Sequence, residues 1–416
     1  MKVLITGVDG YSGWPLAVHL LKRDHDVVGV DNFVTRRRVR EVGSWSGTPI
    51  APFPRRQAAV REVLGKELRF HKGDLQDFDF VRGVLEQERP DAIVHLAEQR
   101  SAPYSMIDVH HAVATQVENL TGTLHLLYAM RSVCPDAHLV KMGTMGEYGT
   151  PNVDIPEGFF DIEYQGRRDR LPFPRQAGSW YHWSKVFDSG DVMFATSLWK
   201  LRSTDVMQGV IYGVRTPDLT DRRLLTRFDF DETWGTALNR FIAQAVLGLP
   251  ITVYGRGEQR RGFIALEDSM QSLRLALEHP AEPGEYRVLN QFDAAYSVNE
   301  LAEVTRRIAA EFGLTATIEH PPDPRVEAEE HYYHPIHDRL TALGYRRTRE
   351  LDEVVREIFR DLLRYRGRLA AKRHVLAPTV QWRADESRSA LAARSAAPSA
   401  KPAEPAPSDE PSRTPA

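Results

Sequence analysis

Three side chains in two short segments of this sequence have the types and spacing of a hydride-transfer site. Thr144 lies in the segment GTMGEYG, residues 143–149, while Tyr181 and Lys185 lie in the segment YHWSK, residues 181–185. On a helix, residues four apart share one face, so the Lys185 ammonium is expected beside the Tyr181 phenol. A neighbouring cation favours phenolate, and Lys185 should therefore lower the pKa of Tyr181 from its ordinary value of about 10. Tyr181 then becomes a usable base near neutral pH.

A tyrosine and a lysine four residues apart occur by chance on many helix surfaces, but the N-terminus strengthens the interpretation. Residues 1–6 predict a short buried strand, and the segment GVDGYSG, residues 7–13, leads from it into an apolar helix that extends through Leu21. Glycines allow a tight turn and close backbone approach, and the free amides at a helix N-terminus face an anion. Because a second predicted strand follows at residues 27–31, the pattern predicts a dinucleotide site rather than a merely structural turn.

Asp31, at the end of the second predicted strand, favours NAD as the cofactor. Its carboxylate can accept hydrogen bonds from both ribose hydroxyls and would repel a 2′-phosphate. Arg36, Arg37 and Arg38 follow closely, and such a basic cluster either accommodates NADP or forms a solvated surface. Since Asp31 is better placed than these arginines to meet the ribose, NAD is predicted.

The bulk composition describes a chain long enough for an enzyme. Its 416 residues are 42% hydrophobic, which allows one large or two smaller domains. A net charge of −3 gives no electrostatic reason to expect nucleic acid or a membrane surface as a partner. The single cysteine, Cys134, excludes an intrachain disulfide and is consistent with a reducing compartment.

The sequence also carries no feature of a secreted or membrane protein. Gly7, Asp9 and Gly10 interrupt any signal-peptide pattern, and no apolar segment reaches the roughly 20 residues that span a bilayer. We therefore expect a soluble, cytoplasmic protein. No motif indicates a metal site.

Strand and helix patterns alternate along the first half of the chain. Further strands are predicted at residues 67–71, 92–96 and 138–142, and helices at residues 78–88 and 115–130. This alternation predicts an α/β fold, a Rossmann-like doubly wound parallel sheet, with ligands outside the carboxyl ends of its strands. Thr144 follows the strand at 138–142 and so lies at that edge.

Two segments interrupt the alternation, and the composition changes towards the C-terminus. Residues 32–65 form a long connection, and residues 157–175 predict a hairpin that serves as a lid over the active site or, less favoured, as an external ornament. The domain prediction assigns the NAD-binding domain to 1–205, a smaller substrate-binding lobe, partly interleaved with it, to 206–382, and a disordered Ala/Pro/Ser-rich tail to 383–416.

Several segments resemble the extended short-chain dehydrogenase/reductases and, within them, the UDP-sulfoquinovose synthases. The resemblance spans residues 1–382 and is carried by EQRSAPYSM at 98–106, GTMGEYG at 143–149, QGVIYG at 208–213 and PRVEAEEHYY at 324–333. It implies the conversion of UDP-glucose and sulfite to UDP-sulfoquinovose on a retained NAD. It also implies a homodimer that pairs helices in a four-helix interface.

The resemblance implies a set of binding residues. On the cofactor side these are Gly7, Asp9, Gly10, Tyr11, Ser12, Gly13, Asp31, Asn32, Arg36, Asp74, Leu75, Leu96, Asn119, Tyr181 and Lys185. On the substrate side they are Arg100, Thr144, Gln208, Arg261 and Arg325. Guanidinium groups suit a diphosphate, although each arginine could instead form a surface ion pair, above all Arg325 with its acidic neighbours.

One departure from related enzymes concerns the residues after Thr144. In related 4,6-dehydratases they are Asp and Glu, whereas here they are Met145 and Gly146. This difference argues against an ordinary dehydratase and transfers the acid–base work to other groups. The candidates are Glu147, His182 and Glu98; a turn or cap role is the alternative for Glu147, and a structural role is the alternative for His182.

Two other functions remain open at this point. A UDP-sugar 4-epimerase or 4,6-dehydratase would share the oxidation step without adding sulfite. A non-catalytic dinucleotide sensor would be expected to have lost part of the set Thr144, Tyr181 and Lys185, which is intact. The residues also leave open whether sulfite arrives free or from a sulfite-donor protein, as the plant members of the family suggest.

Overall fold

The computed structural model describes residues 1–325, 332–378, 380 and 382. Its strands are β1 (Lys2–Thr6), β2 (Asp26–Asp31), β3 (Arg69–Lys72), β4 (Ala92–His95), β5 (His138–Thr144), β6 (Phe159–Tyr164), β7 (Arg167–Pro172), β8 (Arg202–Gln208), β9 (Val210–Tyr212), β10 (Ile251–Thr252), β11 (Arg260–Ala265), β12 (Tyr286–Gln291), β13 (Ala294–Ser297) and β14 (Ile318–Glu319).

The same part of the chain also forms α-helices. They are α1 (Gly13–Leu21), α2 (Val34–Glu41), α3 (Phe53–Leu64), α4 (Phe78–Glu88), α5 (Ala102–Ser105), α6 (Val109–Val133), α7 (Trp180–Trp199), α8 (Ala237–Leu247), α9 (Leu266–Glu278), α10 (Val298–Glu311), α11 (Asp338–Ala342), α12 (Leu351–Arg364) and α13 (Arg366–Ala370).

A seven-stranded parallel sheet forms the centre of the fold, in the order β12-β8-β5-β4-β1-β2-β3. The chain adds strands to one side of β1 and then to the other, so the connections after β1 and β4 diverge. Such a switch point leaves a crevice at the carboxyl ends of the strands. The predicted Rossmann-like fold is confirmed, and each predicted strand of the first half exists within a few residues of its predicted bounds.

Two large apolar clusters hold the fold together. One joins the sheet to α1 and α9 through residues such as Val3, Ile5 and Trp14. The other surrounds α8, α10 and α12, beside the small sheet β13-β11-β9. The second cluster corresponds to the predicted smaller lobe, yet β12 returns from this part of the chain to the central sheet, so the two parts are interleaved. The domain boundary itself stays a prediction.

The connection at residues 32–65 contains helices where the sequence suggested only a long loop. It forms α2 and α3, and Arg56 on α3 is fully buried with its guanidinium carbon 3.8 Å from the centroid of a Trp14 ring. The indole nitrogen of Trp14 donates to the Leu224 carbonyl oxygen at 2.8 Å. The segment therefore packs through Arg56 against Trp14 on α1, and Trp14 in turn bonds to the loop at Leu224.

The predicted hairpin is confirmed, with β6 paired antiparallel to β7. The turn contains only Gln165 and Gly166, with φ angles of 50° and 74°, as two-residue hairpin turns require. Phe160 and Phe173 attach the hairpin to an apolar cluster beside the loop after β5. All of β7 is exposed to solvent.

Other expectations fall outside what the structure describes or stay predictions. The predicted disordered tail at 383–416 lies outside the described residues. Among the described helices, none has the length and apolar character needed to cross a bilayer. The cytoplasmic location stays a prediction.

We expect Gly13→Ala to destabilise the fold, because an added Cβ would lie 2.2 Å from the Gly7 carbonyl oxygen, a backbone atom that cannot rotate away. Overpacking of this kind lowers the free energy of unfolding by about 1–3 kcal/mol. Gly83→Ala is the matched control, since Gly83 lies within α4 and nothing approaches its added Cβ. That change should raise the free energy of unfolding by about 0.5–1 kcal/mol. Denaturant unfolding measures both, and equal effects would contradict the expected clash.

Candidate active site

A cavity of about 590 Å³ lies at the carboxyl ends of β1, β2, β4, β5 and β8. One end is walled by the glycine turn at 7–13, and the other by residues of the smaller lobe. Because the carboxyl ends of parallel strands meet at one edge, residues distant in sequence converge here. The site lies where the sequence pattern predicted it.

The glycine turn has the shape of a dinucleotide cradle. Gly7 has a φ of 76°, and a Cβ there would lie 2.7 Å from the Leu96 carbonyl oxygen. A Cβ at Gly10 would be 3.0 Å from the Gly7 carbonyl oxygen. Gly7 leaves no room for a side chain and Gly10 leaves very little, so the open backbone can approach a pyrophosphate at the start of α1. These residues therefore fit a bound dinucleotide.

Asp31 lies beside this turn and lines the cavity. Its side chain accepts hydrogen bonds from the backbone N–H groups of Asp9 at 2.9 Å and Phe33 at 2.6 Å. Burial raises the pKa of the Asp31 carboxyl to about 6. A carboxylate fixed in this way can receive the ribose hydroxyls of the cofactor.

Most of the predicted cofactor residues line the cavity, but three do not. Those that do are Gly7, Gly10, Tyr11, Ser12, Gly13, Asp31, Asn32, Asp74, Leu75, Leu96, Tyr181 and Lys185. The Asp9 carboxylate instead pairs with Arg36 at 2.5 Å and Arg56 at 2.7 Å. These ion pairs connect the glycine turn to α2 and α3. Asn119 is fully buried and bonded to Gln99 and Ser184. The predicted direct contacts of these three with the cofactor are therefore not supported.

Thr144, Tyr181 and Lys185 all line the cavity. Thr144 ends β5, and the other two lie in the first turns of α7. The Ser179 hydroxyl begins that helix by accepting from the backbone N–H of His182 at 3.2 Å. Serine is a favoured residue at this position because its oxygen satisfies a free amide. The helix start therefore sets the position of the tyrosine and the lysine.

The pKa of Tyr181 is raised rather than lowered in this arrangement. The lysine ammonium is buried and forms an ion pair with Glu98, a cavity-lining residue, with Asp188 3.9 Å away. Burial is the largest influence on Tyr181, and the Glu98 carboxylate adds to it, so the pKa of the phenol is raised. The expected lowering was wrong, because spacing along a helix does not reveal how a lysine is paired across the fold.

Glu147 is fully buried and is absent from the cavity lining. Its carboxylate accepts from the backbone N–H of Thr144 at 3.2 Å and lies 2.9 Å from the Ser189 hydroxyl oxygen. Arg175 pairs with it at 3.4 Å. Burial raises the pKa of this carboxyl. The predicted catalytic role is not supported, and the alternative cap role matches the geometry.

A buried polar network continues beneath Glu147. The Ser189 hydroxyl oxygen lies 2.6 Å from Asp205, whose other neighbours are Lys141 at 3.5 Å and the Tyr286 hydroxyl at 2.7 Å. Lys141 and Asp205 are fully buried. The network joins α7 to β5, β8 and β12, and sequence reasoning did not find it because its members are scattered along the chain.

His182 lines the cavity next to Tyr181, with the two ring centroids 5.0 Å apart. Its Nδ1 atom lies 2.9 Å from the Ser179 hydroxyl oxygen. The other side of the imidazole faces the backbone of Gly146, close enough that an added Cβ would be 2.4 Å from Nε2. The ring thus lies directly beside the turn that follows Thr144.

The predicted substrate residues Arg100, Gln208, Arg261 and Arg325 all line the cavity. Arg100 pairs with Asp229, and its guanidinium carbon lies 5.4 Å from the Trp234 ring. Sequence reasoning missed Arg240, which lines the same wall with its guanidinium carbon 4.0 Å from the centroid of Tyr254. No sequence motif marks that pair, since the fold alone brings α8 against the segment after β10.

Comparison with known proteins identifies the family. Residues 3–290 match the model of the NAD dependent epimerase/dehydratase family. The chain belongs to that family. It is a sugar-nucleotide-modifying enzyme, and its cofactor is NAD, as Asp31 predicted.

Two curated relatives are similar to this chain over most of its length. The chain is 48% identical to UDP-sulfoquinovose synthase from Sulfolobus acidocaldarius, over 92% of this chain and 98% of that one. It is 45% identical to the chloroplastic UDP-sulfoquinovose synthase of Spinacia oleracea, over 92% and 79% respectively. The resemblance found in the sequence is therefore confirmed across almost the whole chain.

Solved structures support the fold. The UDP-glucose 4-epimerase of Thermotoga maritima, solved with UDP-glucose, gives a TM-score of 0.66 at 19% identity, covering 87% of this chain and all of that one. The Bifidobacterium longum UDP-glucose 4-epimerase, solved with NAD⁺ and UDP, gives 0.65 at 19%, covering 88% and 98%. At this identity the likeness describes the architecture only.

We expect the affinity for NAD to fall as the pH drops through about 6, where burial places the pKa of Asp31. Only the ionised carboxylate is a pure acceptor for the ribose hydroxyls, so binding should weaken by up to about tenfold per pH unit below that point. Fluorescence titration with NADH between about pH 5 and 7.5 measures this. Asp31→Asn is the control and should show a flatter profile. An equally steep profile in that variant would assign the effect to another group.

Proposed function

We propose that this chain makes UDP-sulfoquinovose from UDP-glucose and sulfite on a retained NAD. The observation that carries the proposal is the composition of the cavity. It combines the hydride-transfer set Thr144, Tyr181 and Lys185 with Met145 and Gly146 at the positions where related dehydratases have two carboxylates. The similarity to two UDP-sulfoquinovose synthases supports the same conclusion.

The first step is oxidation at C4 of the glucose. Tyr181 takes the proton of the 4-hydroxyl, and the Thr144 hydroxyl orients that group. NAD held in the cradle would supply the hydride acceptor for C4, and its positive charge would favour the phenolate form of Tyr181, which burial and Glu98 disfavour. Lys185 supplies a second positive charge beside the site, held there by Glu98.

The new 4-keto group acidifies the hydrogen on C5, so elimination can follow. A base removes the C5 proton, the C6 hydroxyl leaves as water, and a C5–C6 double bond forms. His182 is our candidate for the base, because it lines the cavity next to Tyr181 whereas Glu147 does not reach it. The Ser179 hydroxyl beside Nδ1 orients the ring and leaves Nε2 facing the turn after Thr144.

Sulfite then attacks the electrophilic C6 atom through sulfur. A carbon–sulfur bond forms, C5 regains a proton, and reduction at C4 restores the 4-hydroxyl, so no net redox change occurs. Both sulfite and the diphosphate are anions, and cationic side chains are available along the cavity. Arg100 lies on the loop after β4 near the hydride-transfer residues, and Arg261 and Arg325 lie in the smaller lobe. Guanidinium groups at these places suit the two anions.

We expect sulfonated product only when UDP-glucose and sulfite are both supplied, with mass spectrometry as the measurement. UDP-galactose or a dehydrated sugar as the sole product would instead assign the chain to the epimerases or dehydratases.

Tyr181→Phe should lower turnover by about 100-fold or more, since it removes the proton acceptor. The matched control is Tyr164→Phe, on the hairpin and 70% exposed, which should leave turnover unchanged. Full activity in Tyr181→Phe would refute the assigned role.

We also infer that two copies of the chain pair through α6 and α7. The two helices pack together and expose a set of large apolar side chains at helical spacing, namely Val109, Val113, Val117, Leu124 and Tyr128 on α6 and Trp180, Phe187, Phe194 and Leu198 on α7. An exposed apolar face of this kind marks an interaction surface. A second copy related by twofold symmetry would cover it with the same face.

We expect Phe194→Glu to produce monomers, because the side chain is 65% exposed at the middle of this face and a charge there would be buried by pairing. Light scattering after size exclusion measures the mass. Tyr164→Glu is the control, since Tyr164 is similarly exposed but lies on the hairpin. If the parent protein is itself a monomer, or if both variants behave alike, the inferred interface is wrong.

A further inference from the structure

The His182 ring leaves no room for a side chain at position 146. A Cβ built on Gly146 would lie 2.4 Å from both Cδ2 and Nε2 of the His182 ring and 3.1 Å from Cε1. Real Cβ atoms essentially never approach other atoms closer than 3.0 Å. The imidazole therefore occupies the space into which any side chain at position 146 would project.

Both partners in this contact are held in place. The Gly146 backbone N–H donates to the Thr144 hydroxyl at 3.2 Å, within a short 3₁₀ turn that Glu147 caps. The His182 ring is fixed from the other side by the buried Ser179, 2.9 Å from Nδ1. Neither the turn nor the helix start can shift without losing these contacts. A side chain at 146 would consequently displace the ring from its position beside Thr144.

We propose that Gly146 is a specificity-determining residue, which admits the His182 imidazole to the place where the proton is moved between C5 and C6. This inference rests on the proposed function and deepens it. His182 Nε2 takes the C5 proton and delivers it to the departing C6 hydroxyl, which leaves as water. In the second half, Nε2 takes the proton of hydrogensulfite, sulfur bonds to C6, and the proton passes to C5.

Charge explains why an imidazole serves this reaction better than a carboxylate. A carboxylate next to C6 would repel an incoming sulfite anion, and repulsion between charges is stronger at a protein site than in bulk water. A neutral imidazole does not repel it, and on taking the hydrogensulfite proton the ring becomes a cation beside the attacking anion. Gly146 thus selects an acid–base group that is compatible with an anionic nucleophile.

A double-mutant cycle tests the steric part of the proposal. The purified protein is incubated with UDP-glucose in D₂O without sulfite, and deuterium at C5 is followed by mass spectrometry. Gly146→Ala and His182→Ala should each lower this exchange by about 100-fold, because both remove the base from its place. In the His182→Ala background, Gly146→Ala should change the exchange by less than about twofold, since no ring remains to be displaced. Equal losses from Gly146→Ala in both backgrounds would overturn the proposal.

The same assay separates this proposal from the proposed function. If the parent exchanges C5 hydrogen but makes no sulfonate, the proposed function and the electrostatic part of the inference fail, while the steric part stands. If the parent makes sulfonate while Gly146→Ala keeps full C5 exchange, the inference fails and the function stands. Absence of C5 exchange in the parent overturns the inference.

Gly146→Glu tests the electrostatic part. We expect the ratio of sulfonate formed to C5 deuterium incorporated to fall by about tenfold or more, because a carboxylate repels sulfite even where it can move the proton. An unchanged ratio would refute this part. The transfer of hydride from C4, followed by NADH absorbance, serves as the measure that the variant still binds substrate and cofactor.

Discussion

The buried polar network beneath α7 is the interaction on which the position of the site depends. Ser189 on this helix lies between two carboxyls, Glu147 and Asp205, and Lys141 supplies the opposing charge. Burial is the main reason that the pKa of Glu147 is raised, while Lys141 is the strongest of the influences that hold the pKa of Asp205 low. Removal of one partner would leave a charge buried and unpaired, at a cost of about 3–5 kcal/mol. Helix α7, with its tyrosine, histidine and lysine, is tied by this network to the central sheet.

The network also connects the two sides of the catalytic turn. Glu147 fixes the backbone of Thr144 from below, and the same turn presents Gly146 to the His182 ring. The sequence difference from related dehydratases is therefore more than the loss of two carboxylates. In the function proposed above, it also moves the acid–base group from the turn after β5 to His182 at the start of α7.

Short sequence motifs predicted the parts of this site whose residues lie close together in the chain. The glycine turn, Asp31, the hydride-transfer set and the hairpin each follow from residue types at short spacing. The parts that were missed depend on partners far apart in the chain. Glu98 reaches Lys185 across 87 residues, and Arg56 reaches Asp9 across 47. Spacing on one helix predicted a lowered pKa for Tyr181, but burial and Glu98 raise it, because the environment of a side chain is decided by the whole fold.

The order of strands in the central sheet has a consequence for how the protein is synthesised. One of its two edge strands, β12, is residues 286–291 and pairs with β8. The sheet is therefore incomplete until the ribosome has made most of the second lobe. The same strand delivers the Tyr286 hydroxyl to Asp205. Domains fold as units during synthesis, N-terminal part first. Until β12 has been made, the hydrogen-bonding edge of β8 that pairs with it stays unpaired. Helix α7 can therefore gain this link to Tyr286 through Asp205 only after β12 has been synthesised and has paired with β8.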